Sequence, residues 1–151
     1  MIIDIPVSIG EVFDKITILS IKSEKVSEKS KLNLIKKELL LLEASSAHAK
    51  TYSTVSDLVA ALRSTNYCLW QIEDKIREQE KKGSFGEEFV ALARLVYMVN
   101  DIRADIKNRI NLALQSEFSE VKSYTPYGEK EEIRQQIREL LNISGITWTL
   151  E

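Results

Sequence analysis

The stretch "IREQEKKGSFGEEFVALARL", Ile76 to Leu95, decides the fold. It separates two long segments of helical periodicity, one from about Val55 to Lys82 and the other from about Phe85 to Gln115. Gly83 stands where a left-handed residue closes a helix. Ser84 followed by Glu87 has the spacing of a capping box that opens the next one. Two helices this long, joined by one or two residues, must fold back into an antiparallel hairpin about 40 Å long.

Outward from the hairpin, the remaining segments read as shorter helices. Pro6 blocks backward continuation, and Ser8 with Glu11 repeats the capping-box spacing, so a helix is expected from Ile9 to Val26. Its inner stripe is Ile9, Val12, Phe13, Ile16 and Leu19. Ile18 and Ile21 fall off that stripe and imply cover on more than one side. "KLNLIKKELLLLEA" places Leu32, Ile35, Leu39 and Leu42 on one face of a second helix. "SSAHAKTYST" reads as a surface loop carrying the only histidine, His48, as an exposed residue. A last amphipathic helix, Glu129 to Asn142, turns Ile133, Ile137, Leu140 and Leu141 inward, and Gly145 stops it. "MIIDI" and "ITWTL" are β-like ends with room for a small two-stranded ribbon. The expected fold is all-α: an antiparallel helical bundle of about four main helices plus a shorter C-terminal one. Residues 1–127 form the bundle domain, and 128–151 a C-terminal helical appendage packing on it.

Composition narrows the function classes. A formal charge of −2, with Lys and Arg alternating with acids along every helix, offers no basic surface for nucleic acid. Cys68 is alone, so there is no internal disulfide and no Cys/His cluster for zinc, and it reads as a small packed apolar residue. No Gly-rich phosphate loop suggests a cofactor. No basic leader and no run of ~18 apolar residues suggests export or a membrane span, so a cytoplasmic protein is expected.

The hairpin carries polar residues where a plain bundle would bury apolar ones. Asn66 and Glu73 interrupt the ridge Val55, Val59, Leu62, Leu69 and Ile76, with Trp70, Asp74 and Arg77 beside them. The following helix has an apolar stripe: Phe85, Phe89, Leu92, Val96, Val99, Ile106 and Ile110. A second line runs next to it: Tyr97, Asn100, Asp101, Ala104, Lys107 and Asn108, with Arg103 on the border. Counting outward from the turn, one band across the hairpin would hold Asn66, Trp70, Tyr97, Asn100 and Asp101. Asp14 and Lys15 are the matching polar pair on the first helix.

A buried polar group without a partner costs ~1–3 kcal/mol. These residues therefore satisfy one another and fix register, form a solvated face with i,i+4 pairs such as Glu73–Arg77, or face a ligand. On the ligand reading, Trp70 and Tyr97 give flat contact area, and Arg77, Arg103 and Lys107 pair with anionic groups. The protein is then a non-catalytic binding or assembly module for a protein partner or a small polar or anionic ligand, with a homodimer also open. The alternative is a small metal-dependent or anion-processing enzyme using Glu73, Asp74 and Asp101. No nucleophile constellation stands out, and no catalytic residue or metal ligand is assigned.

Four stretches taken together add a resemblance. "IPVSIGEVFDKITILSIK", "LWQIEDKIREQE", "FVALARLVYMVNDIRADIKNRINLAL" and "SEVKSYTPY" resemble, in this order, an uncharacterised family of small helical bacterial and phage proteins. The resemblance covers roughly residues 3 to 127, leaving the rest as an appendage particular to this chain. It carries no activity over. It singles out Gly10, Glu11, Asp14, Lys15, Trp70, Glu73, Asp74, Arg77, Tyr97, Asn100, Asp101, Arg103, Lys107, Asn111, Lys122, Ser123 and Tyr124.

Overall fold

A computed structural model describes residues 3–47 and 53–149. The chain is an all-α helical bundle with α1 (Ile9–Lys25), α2 (Lys29–Ser45), α3 (Ser53–Lys82), α4 (Glu87–Ala113) and α5 (Lys130–Ser144). His48 and half of the loop expected around it lie outside the described residues. None of the described residues forms a strand, so the terminal ribbon is absent from them. The physical reason is visible at one end. Ile146 is buried in a helical core and the Trp148 indole donates to Ser64 Oγ at 3.2 Å, so this segment packs on helices rather than pairing as a strand.

The helix ends follow local rules, with two corrections. Gly83 takes φ +64°, and the amides of Gly83 and Ser84 close α3 on the carbonyls of Glu80 and Gln79 at 3.0 Å each. Ser84 is thus spent on ending α3 and does not cap α4. The Gly86 carbonyl accepts the first bond of α4, from Val90 at 3.1 Å, so the helix starts at Glu87, two residues later than the spacing suggests. At the other end of α4, Gln115 adopts φ 52° and the Ser116 amide returns to the Asn111 carbonyl at 2.8 Å, which stops the helix short of Gln115.

Tertiary contacts divide the chain into two compact units. Met1–Arg63 with Ala104–Val121 forms one, and Ser64–Arg103 with Lys122–Glu151 the other. In the first unit α1 is buried on several sides, and Ile21, off the expected stripe, is almost fully enclosed with Phe13, Ile16 and Leu19. The expected stripe of α2 is only half-buried, and no residue of that helix is fully buried. In the second unit Cys68, Leu69 and Ile72 of α3, Leu92, Leu95, Met98 and Val99 of α4, and Ile137, Leu140 and Leu141 of α5 make one core. The buried face of α4 keeps Leu92, Val99, Ile106 and Ile110 of the expected stripe and is wider than it. Leu95 and Met98 lie inside, whereas Phe85 is exposed and packs edge-on against Phe89 with centroids 5.1 Å apart.

Candidate functional site

In the first unit the polar residues converge on the start of α1. Its leading amides have no helical partner and must find acceptors elsewhere. Ile9 donates to Ser116 Oγ at 3.2 Å, Gly10 to Asn111 Oδ1 at 2.7 Å, and Glu11 to Ser8 Oγ at 3.3 Å. A β-carbon at Gly10 would sit 2.6 Å from the Lys107 carbonyl oxygen, so glycine allows the α1 backbone to lie directly against α4. The Glu11 carboxylate does not turn back to complete a capping box. It pairs with the Lys107 ammonium at 2.5 Å, which also meets Glu120 at 2.7 Å.

Lys107 is buried although charged, and its surroundings explain how. Burial alone disfavours the ammonium, but hydrogen bonds to Glu11 and Glu120 and the charges of Glu11 and Asp14 outweigh it, leaving the pKa raised. Asp14 is itself buried, its carbonyl accepting from Thr17 Oγ1 at 2.8 Å. Lys15, its neighbour in sequence, points elsewhere: it is exposed and pairs with Glu38 of α2 at 2.6 Å.

In the second unit the polar residues of α4 hold the irregular segment that follows it. Asp101 accepts from the Tyr127 hydroxyl at 2.8 Å and from the Lys122 ammonium at 3.3 Å. Lys122 also donates to the Asn100 carbonyl at 3.3 Å. The Asn100 amide donates to the Val96 carbonyl at 2.9 Å, and its oxygen accepts from Arg103 at 3.1 Å. Tyr97 meets Tyr127 edge to face with centroids 5.3 Å apart, and Lys122 lies 5.7 Å from the centre of the Tyr124 ring. The Tyr127 hydroxyl titrates well above the usual phenol range, first because burial disfavours the phenolate and then because Asp101 beside it does.

The remaining candidates sit on α3. Glu73 and Arg77 form an i,i+4 ion pair, both side chains largely in water, and Arg77 also donates to the Glu73 carbonyl at 2.8 Å. Asp74 is exposed, Trp70 half-buried, and Asn66 buried. Glu73 is thus occupied by Arg77, and Asp101 by Tyr127 and Lys122. Among the described residues no group of three or more His, Cys, Asp or Glu is arranged to hold a metal ion, so the metal-dependent alternative has no support. Cys68 is fully buried, and burial pushes its thiol up to about 12, which makes it unreactive near neutral pH.

Reading the helices residue by residue made Glu11 a cap, so Glu11, Asn111 and Lys122 were singled out only through the resemblance, and Glu120 and Tyr127 by neither route. One signal did point to Asn111. It follows Lys107 by four residues and therefore shares its helix face. Glu120 and Tyr127 carried no such periodicity, because the segment holding them is irregular.

None of the described helices is long and apolar enough to cross a membrane. No curated protein and no solved structure matches the chain at the significance required. A family model does match, over residues 3–136, and so runs beyond Tyr127 into the first half of α5, which is therefore not wholly an appendage of this chain. With that share of its length matched, the chain belongs to DUF6165, a family of unknown function.

Proposed function

We propose that the protein is a non-catalytic binding module, and that the face it offers a protein partner is formed by Tyr97, Lys122, Tyr124 and Tyr127. One observation carries the reading: Tyr97 is 44% exposed yet packed edge-on against Tyr127. Its ring is braced by Tyr127, whose hydroxyl is fixed by Asp101 along with the Lys122 ammonium, while Tyr124 extends the same segment into solvent. Rigid exposed tyrosines bury large area on association with little loss of side-chain entropy, and their hydroxyls keep them soluble when free. The cations first suited to an anionic ligand are engaged within the protein. Lys107 pairs with Glu11 and Glu120, and Arg77 pairs with Glu73, which favours a protein partner over a small anion.

The test is a photo-crosslinking phenylalanine derivative replacing Tyr124 in cells that express the protein natively. A discrete adduct that disappears in a Tyr97→Ala background supports this face. Adducts no different from those formed with the same group at exposed Lys82 overturn it.

A further inference from the structure

Apart from the tyrosine face, the outer half of α2 is a surface in its own right. The inward side, Leu32, Ile35, Leu39 and Leu42, half-buries in its own unit. Leu34, Leu40 and Leu41 turn away from it and are 70%, 67% and 53% exposed. Single exposed leucines need no explanation, but three on one side of a helix do.

The charges on that side are of one sign. Both signs occur along α2 in sequence, but they separate around it. At about 100° per residue, Lys29, Lys36 and Lys37 fall among the outer leucines, and neither glutamate does. Glu38, at one edge, is held by Lys15 at 2.6 Å, and Glu43, at the other, is half-buried toward the inner side. Lys31 is matched by Glu28 at 2.6 Å. Lys29, Lys36 and Lys37 have no ion-pair partner among the described residues. The surrounding sequence reinforces them: from Lys22 to Lys37 there are six lysines against two glutamates, in a chain of formal charge −2.

The occupant that matches is negatively charged, with apolar matter within a lysine side chain's length. An anionic phospholipid bilayer has that order, charged headgroups outside and acyl chains beneath. Lysine stems are apolar and flexible, so their ammonium groups stay among headgroups while neighbouring leucines sink. A nucleic acid would pair the lysines and leave the leucines in water. A protein groove that takes a helix buries the centre of its apolar face. Here that centre is Lys37, between Leu40 and Leu41, and enclosing it would strip a charge of water.

We infer that the outer face of α2 docks peripherally on anionic lipid. Leu34, Leu40 and Leu41 enter the interface, and Lys29, Lys36 and Lys37 hold the headgroups. Contact through so few residues is reversible and sensitive to salt.

The full chain is expected to cosediment with phosphatidylcholine vesicles that contain phosphatidylserine, and not with phosphatidylcholine alone. Raising salt from about 0.05 M to about 0.5 M should release it. Lys36→Glu with Lys37→Glu, both at exposed positions, should lower the partitioning at least about tenfold and leave the helical signal unchanged. Entry of the leucines is read separately with an environment-sensitive fluorophore on Leu41→Cys, Cys68 being buried. Its emission should shift to the blue on anionic vesicles, and the same label on Lys82→Cys should not shift. No binding, equal binding to neutral vesicles, a double variant that binds as well, or a label at 41 that stays in water overturns the proposal. So does tighter binding to polyglutamate than to vesicles, which would give the face to an acidic protein.

Discussion

The amide of Gly10 donates to Asn111 Oδ1 at 2.7 Å, and at that contact the α1 backbone lies too close to α4 for any side chain at position 10. An added β-carbon would meet the Lys107 carbonyl oxygen at 2.6 Å and Asn111 Oδ1 at 2.9 Å. The first is backbone and cannot swing aside.

Gly10→Ala is therefore expected to destabilise the protein by about 1–3 kcal/mol, overpacking outweighing the better helix propensity of alanine. Gly128→Ala is the control: the nearest atom to its new carbon is Ile133 Cγ1 at 3.5 Å, an ordinary contact. Urea denaturation of both variants checks the pair. Equal effects would mean that the close approach at Gly10 does not govern stability.

Lys107 anchors Glu11 and Glu120 at once. Lys107→Met keeps the packing volume but leaves both carboxylates without their cation. The expected cost is about 1–3 kcal/mol, below the ~3–5 kcal/mol of a fully buried pair because the carboxylates are partly solvated. Equilibrium unfolding at neutral pH measures it.

The pH dependence follows from two raised groups. Lys107 titrates above the ordinary 10.5 and Tyr127 above the ordinary 10.0 in the folded chain. A raised folded pKa means that the stabilisation is complete below the unfolded value and is lost as pH rises through the folded one. Stability contributed by these groups is thus constant through neutral pH and declines on the alkaline side. Comparing unfolding free energies at about pH 8 and about pH 11 should show a smaller decline in Lys107→Met. Tyr127→Phe should remove a phenol that ionises above the ordinary range in the tyrosinate absorbance titration.

Gln115 occupies the left-handed region, which costs a side-chain-bearing residue roughly 1–2 kcal/mol. Gln115→Gly removes that strain while adding freedom to the unfolded chain. A net gain of up to about 1 kcal/mol follows, or about 2–4 °C in Tm. Calorimetry reads it directly.

Asp101 ties down residues 122–127 through Lys122 and Tyr127. Because those contacts are largely exposed, Asp101→Ala should cost less than about 1 kcal/mol globally. Locally it should free the segment, so that trypsin cuts after Lys122 several-fold faster while α3 and α4 remain protected. Unchanged cleavage would show that Asp101 is not the tether.

The sequence by itself determined the helices. Spacing of apolar residues, Gly83 and Gly145 at helix ends, and the Pro6–Ser8 start are local signals, and the local energies they reflect act wherever the chain goes. Ile137, Leu140 and Leu141 were legible as core for the same reason. Where two local signals competed, the sequence misled: Ser84 reads equally well as the start of one helix or the end of another, and its amide went to Gln79. The polar residues of α4 are a different case. Their positions on the helix were visible, but their partners Glu11, Glu120, Lys122 and Tyr127 are distant in sequence or lie in an irregular segment, where no periodicity marks which way a side chain points. Only the tertiary structure decided that Lys107 and Asn111 hold the start of α1 while Asn100 and Asp101 hold the segment after α4. Burying a charge or an amide is tolerable only once a specific partner arrives, and which partner arrives is a property of the packed chain.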